Sequence, residues 1–296
     1  MSDLRSPILE LKNAIAGCAF RIAPERASEL AELRDLNNLT ITLVDEPGFN
    51  IRVRLPTHEV IINVAALEFL WASAHAHLIL YNEYGLAQRS GSGTFDTGGT
   101  ERSRKAMKLL AWAGRNISGT GKDQWPVGLP QPVRFPTEKS DGHVTNELFL
   151  CALAWIIHHE IAHIRLNHQA LATTCSIVEE KDADVAATMW ILEKSAVPQE
   201  SRKRTFGIAA AILALQGFRS PDKFVSLKTH PSTFERIDYC LTAAKVSEND
   251  EVFAFAAVTM QIQLASLGIN LKFKGSTFRK LYSEYLVEVA RANNEG

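Results

Sequence analysis

The chain has no CxxC pair, no excess of either charge, no uninterrupted apolar span of bilayer length and no complete phosphate-binding glycine motif, and each absence removes a class of function. Its four cysteines, Cys18, Cys151, Cys175 and Cys240, are scattered, which argues against a disulfide framework or a CxxC zinc ribbon. The N-terminal stretch "MSDLRSPILELKNA" has no basic segment followed by an apolar core, so the sequence reads as a reduced, cytoplasmic protein. Lysine and arginine number 32 against 33 acidic residues, and that balance excludes the electrostatic footprint of a nucleic-acid binder. The most membrane-like stretch, "VAALEFLWASAHAHLILY" at 64–81, is interrupted by Glu68, Ser73, His75 and His77. It falls short of the ~20 apolar residues of a span and reads as a core helix, so no membrane association is expected. Gly91 and Gly93 in "SGSGTFDTGGT" (90–100) continue into neither GxGxxG nor a Walker sequence, which leaves that stretch as a loop rather than a nucleotide cradle.

What is present is enough apolar residue, 46% of 296, for a substantial core. Three short β-branched runs, "LTITLV" (39–44), "NIRVRL" (50–55) and "EVIIN" (59–63), are separated by turn residues and predict a small antiparallel sheet. Helical spacing governs 7–17, 25–35, 64–87, 102–117, 144–168, 177–194, 199–217, 232–244, 250–268 and 277–292. The expected fold is α+β and mostly α-helical: a sheet-containing N-terminal part over 1–140, and a helical part over 141–296, joined by the Pro-rich connector "WPVGLPQPVRFP" (125–136).

The chemistry concentrates in "HHEIAHIRLNH" (158–168), directly behind the apolar run Leu148–Ile157. His159, Glu160 and His163 form HExxH, which sets two imidazoles one turn apart on one helix face with a carboxylate beside them. The apolar run buries that helix, so a merely solvated histidine face fits poorly. Such a pair suits zinc, and a catalytic zinc takes a third protein ligand and keeps one position for water. His168 lies nine residues after His159, whereas HExxHxxGxxH needs ten and a glycine, so it reads as a helix-end or substrate-side residue. In "SIVEEKDADVAATMWIL" Ser176 and Glu179 form a capping box, which leaves Glu180 for the metal or, failing that, as an ordinary helix-start acid. Asp184, one turn on, is placed to accept from the far nitrogen of a ligating histidine. His230, before Pro231 in "THPSTFERI", is a candidate oxyanion donor with turn-capping as its structural alternative. Arg236 is expected to be a structural partner of an acid.

"FRIAPE" (20–25), "EPGFNIRVR" (46–54), "LFLCALAWIIHHEIAH" (148–163), "EEKDAD" (179–184) and "THPSTFERI" together resemble the Lit family of phage-exclusion peptidases through most of the chain. The resemblance implies a zincin-like (gluzincin) metallopeptidase fold. It puts the zinc ligands at His159, His163 and Glu180, the base at Glu160, Asp184 behind a ligand, and His230 as the softer transfer.

By the same resemblance the activity is zinc endoproteolysis of host elongation factor Tu in the presence of a phage capsid peptide. Within the same chemistry, the substrate could instead be another cytoplasmic protein, such as a repressor. From a different class, the chain could be a catalytically silent zinc-stabilised binding module, against which the intact Glu160 argues. The small sheet is expected to offer "EVIIN" as an edge to which an extended peptide adds.

Overall fold

Four consecutive buried residues, Val60, Ile61, Ile62 and Asn63, decide how the sheet is built, because only a strand covered on both faces and both edges buries such a run. The computed structural model describes residues 5–32, 40–54, 59–91, 95–119, 124–168, 176–218, 231–266 and 276–294. Among them β1 (Thr40–Val44), β2 (Ile51–Arg54) and β3 (Glu59–Asn63) form a sheet in the order β1-β3-β2. β3 runs antiparallel to β2, with Ile51 opposite Ile62 and Val53 opposite Val60, but parallel to β1, with Thr40 opposite Glu59 and Val44 opposite Asn63.

The expectation of an all-antiparallel sheet is therefore corrected, and so is the placing of "EVIIN" at an edge: it is the central strand. The physical reason lies in the link 45–50, which carries the chain across the end of β3 instead of folding back as a hairpin. Asn63 holds that link. Its Nδ2 donates to the carbonyls of Pro47 and Gly48 at 3.0 and 3.2 Å, and its backbone N–H donates to the Asn50 carbonyl at 3.0 Å. Gly48 takes φ +94° at the bend, a conformation open to glycine.

The helices follow the sequence reading closely. α1 (Lys12–Arg21), preceded by a 3-10 turn over Pro7–Leu11, and α2 (Ala27–Glu32) lead into the sheet, and α3 (Val64–Arg89) starts directly from β3. α4 (Glu101–Ile117), α5 (Asp141–Arg165), α6 (Ile177–Leu192), α7 (Pro198–Phe218), α8 (Thr233–Ala243), α9 (Glu251–Ser266) and α10 (Phe278–Asn294) complete the chain. α3 and α5 are apolar on nearly every side, as core helices are. By length and composition alone either could cross a membrane, yet 83% and 72% of their apolar windows are buried inside the protein. The segment 90–100, described except for 92–94, ends in a cap for α4: Thr100 and Ser103 form a capping box.

α5 lies at the centre, packed against α1, α3, α6 and α7, and buried apolar residues from Ile8 to Tyr285 make one contiguous cluster around it. Its approach to α7 is close enough to dictate a residue. A Cβ at Gly207 would sit 2.3 Å from the Cβ of Cys151, so only glycine lets the two helices meet at this crossing. The Pro-rich connector is anchored beside it. Trp125 packs between Trp71 and Trp112 with ring centroids 5.7 and 4.8 Å apart, and Asn146 of α5 donates to the Val133 carbonyl at 2.9 Å.

Candidate metal centre

Two helices built for burial bring the polar cluster together. α5 starts at Ser140, whose hydroxyl accepts from the His143 N–H, runs through Leu148–Ile157, and presents His159 and His163 one turn apart near its end. α6 starts at Ser176 in a reciprocal cap: the Glu179 N–H donates to Ser176 Oγ at 3.2 Å, and Glu179 Oε2 accepts from the Ser176 N–H at 2.7 Å. That cap occupies Glu179 at the exposed end. The next residue, Glu180, turns inward and is 6% exposed.

The donor atoms converge. His159 Nε2 and His163 Nε2 lie 3.1 Å apart, with Glu180 Oε2 at 3.5 Å from the first and Oε1 at 3.7 Å from the second. The trio can hold a metal ion. Tetrahedral bonds of ~2.0–2.1 Å put neighbouring donors ~3.3 Å apart, and the three distances bracket that edge. Charge fits as well: with both imidazoles neutral, the carboxylates Glu160, Glu180 and Asp184 less the guanidinium of Arg236 leave three minus one, a net of minus two, in a largely buried space. A divalent cation balances it.

Behind His159 stands a second layer of contacts. Asp184, fully buried, has Oδ1 2.8 Å from His159 Nδ1. Arg236 of α8 grips the same carboxylate with both arms, Nε to Oδ2 at 2.7 Å and Nη2 to Oδ1 at 2.6 Å, and the Tyr239 hydroxyl donates to Oδ2. Burial alone would raise the Asp184 pKa, but Arg236 and His159 outweigh it and hold the carboxyl at about 2. Burial opposes a charge on His159, yet Asp184 and Glu180 lift its pKa to about 9. His163, lacking a carboxylate so close, is pushed down to about 4 by burial and by His159. The carboxyl of Glu160 is raised by burial, with His159 pulling the other way. A half-buried, more basic carboxylate beside the His-His-Glu cluster is equipped to take up a proton.

The structure thus brings His159, His163, Glu180 and Asp184 together with Glu160 alongside, and it makes Arg236 the partner of Asp184. His230 lies outside the described residues, although Ser232, two residues on, caps α8 by accepting from the Glu235 N–H at 3.3 Å. Sequence reasoning missed Tyr239, whose only signal was its i,i+3 spacing from Arg236. It also missed the contact of His168, whose Nδ1 lies 2.9 Å from His163 Nδ1; there the signal was the Asn preceding it at the helix end.

A family model described as peptidase U49 matches residues 60–257, a stretch holding every residue of this cluster. The chain belongs to the peptidase U49 family. It is 36% identical over 294 residues to the cell death peptidase of Escherichia coli strain K12, an alignment covering 97% of this chain and 99% of that protein. The resemblance to the Lit family of phage-exclusion peptidases is borne out by these two matches. No solved structure matches the chain. As a U49 peptidase, the protein is a protease acting on protein substrates, mostly helical with a small three-stranded sheet.

Proposed function

We propose that this U49 peptidase is a zinc-dependent endopeptidase of the cytoplasm, with a zincin-like (gluzincin) arrangement, in which His159, His163 and Glu180 hold the metal. The observation that carries the reading is the convergence of those three donors beside Glu160 at the meeting of α5 and α6. Bound there, zinc would supply Lewis acidity for the scissile carbonyl and for the attacking water. Glu160 accepts the proton of that water and passes it to the leaving amine; burial, by raising its affinity for a proton, suits it to both halves of the transfer. Asp184, fixed by Arg236 and Tyr239, holds His159 with Nε2 turned toward His163 and Glu180, where it would ligate the metal. The whole chain acts as one unit in this reading, since the sheet-containing part (1–140) and the helical part (141–296) share one apolar core.

The substrate reading follows the family: host elongation factor Tu, cut when a phage capsid peptide is present. The test is to incubate the zinc-loaded protein with bacterial lysate, with and without that peptide, and to map new protein termini. We expect one dominant new terminus within the elongation factor, dependent on the peptide and lost in Glu160→Gln, which keeps about one zinc per chain. Termini in another protein would shift the reading to a different substrate. A chain that binds zinc and cuts nothing would leave a zinc-stabilised binding module.

A further inference from the structure

α5 does not simply stop after HExxH; it ends in a turn that aims one more imidazole at the site. The Leu166 N–H donates to the Ala162 carbonyl at 2.9 Å, Asn167 takes φ +52°, and its N–H donates to Ile164 at 3.1 Å. The His168 N–H then reaches back to the carbonyl of His163 at 3.0 Å. This pair of reversed bonds around a left-handed residue is the Schellman termination, for which Asn is the usual substitute for glycine. Its effect is to fold residue 168 back over the last turn. The half-buried His168 ring meets the ring of His163 at 67° with centroids 5.0 Å apart, and the two Nδ1 atoms are 2.9 Å apart.

Two imidazole nitrogens at that distance share one proton, so one must donate and the other accept. The opposite nitrogen of His163 settles which. His163 Nε2 faces His159 Nε2 and Glu180, and it must be bare to ligate. The proton therefore sits on His163 Nδ1, and His168 Nδ1 receives the hydrogen bond with its own proton on Nε2.

We propose that His168 is a positioning residue: a neutral acceptor that fixes the tautomer and ring plane of His163, as the Asp184 carboxylate does for His159. The inference rests on the metal reading above. It assigns the two histidines of HExxH supports of different charge, one an anion compensated by Arg236, the other an uncharged ring supplied by the helix terminus itself.

Zinc affinity of the full chain, measured by competition with a chromophoric chelator, tests it. His168→Phe keeps a ring of similar size but has no acceptor, whereas His168→Asn places a carbonyl oxygen close to where Nδ1 stood. We expect affinity to fall ~10–100-fold in the first, the range for losing such a support, and to recover to within a few-fold of wild type in the second. Cobalt substituted for zinc should give the same visible band intensity in wild type and His168→Phe, since the ligand count is unchanged. Nitrogen-15 histidine spectra of the zinc-loaded wild type, which need no variant, should report a proton on His163 Nδ1.

Equal affinity of His168→Phe and wild type, equal losses in Phe and Asn, a cobalt spectrum showing a lost ligand, or a bare His163 Nδ1 would each overturn the proposal. A wild-type chain that takes up no zinc would overturn the metal reading itself, and with it this inference.

Discussion

Replacing Arg236 by Met takes the bidentate partner from the most deeply buried acid of the site and leaves it His159 and Tyr239. Asp184 has no exposed surface, and it would lose the 2.7 and 2.6 Å bonds while keeping the Tyr239 hydroxyl and the His159 contact. Charge-assisted hydrogen bonds contribute ~1.5–3 kcal/mol each, and breaking one side of a buried ion pair costs ~3–5 kcal/mol. A ceiling comes from protonation: neutralising a carboxyl whose unfolded pKa is ~3.9 costs ~4 kcal/mol at pH 7. The expected loss is therefore ~3–4 kcal/mol. It should shrink as pH falls from 7 toward 5, by at most ~1.4 kcal/mol per pH unit, because a carboxyl left with His159 as its cationic partner takes up a proton more readily. The wild type behaves oppositely. Its Asp184 carboxyl is held at about 2, below the ordinary carboxylate value, so the stability this group contributes is complete above pH ~4 and is lost only as pH falls toward 2.

The assay is urea unfolding in excess chelator, which removes metal linkage from the comparison. Paired with Asp184→Leu, the double variant should cost at least ~2 kcal/mol less than the two single losses added together, since it leaves neither charge alone in the interior. A single loss under ~1 kcal/mol, or strict additivity in the double variant, would refute the view that Arg236 and Asp184 form one buried unit.

The adjacent glutamates should separate cleanly in metal titration: Glu180→Ala loses zinc affinity by at least tenfold, while Glu179→Ala keeps it and lowers stability by ~1 kcal/mol through the lost cap; the reverse outcome would exchange their assignments. His75, His77 and His158 are buried, and burial holds the pKa of each at about 4, below the ordinary histidine value. The unfolded chain therefore binds protons that the folded one refuses, and stability must fall as pH drops from ~6.5 toward 4. His77, packed edge-on to Phe255, is the cleanest to remove. His77→Leu should reduce the pH slope of chelated protein by up to ~1.4 kcal/mol per unit, and an unchanged slope would mean that His77 is not among the groups responsible.

The polar cluster was legible because its spacing is dictated by helix geometry. Two histidines four apart must share a face, and a capping box consumes Glu179 and so releases Glu180; both deductions need only the helix period and the orphan N–H groups at its start. The sheet was less legible. Nothing in "LTITLV" or "NIRVRL" announces that the link between them crosses the end of a third strand, because that route depends on the Asn63 amide, which sits in the strand it crosses. "EVIIN" reads as a short β-branched strand, and such runs read alike at an edge and at a centre until neighbours are counted. His168 and Tyr239 escaped for a related reason: each acts through a side chain already assigned, and second partners leave no period in the sequence.

Gly207 gives α7 a part in placing the His-His-Glu cluster, whose donors come from α5 and α6. The notch it leaves admits the Cβ of Cys151 at a distance no larger residue permits, so α5 is keyed against its neighbour like a shaft in a slot. From Cys151 to His159 is eight residues, ~12 Å along the axis at 1.5 Å per residue, and a rigid helix transmits any axial slip at the key undiminished to its far end. The spacing between the imidazoles carried by α5 and the carboxylate carried by α6, 3.5 and 3.7 Å, shifts with any such slip. The calibration of the cluster is thus set two turns upstream, by a hydrogen atom on a neighbouring helix.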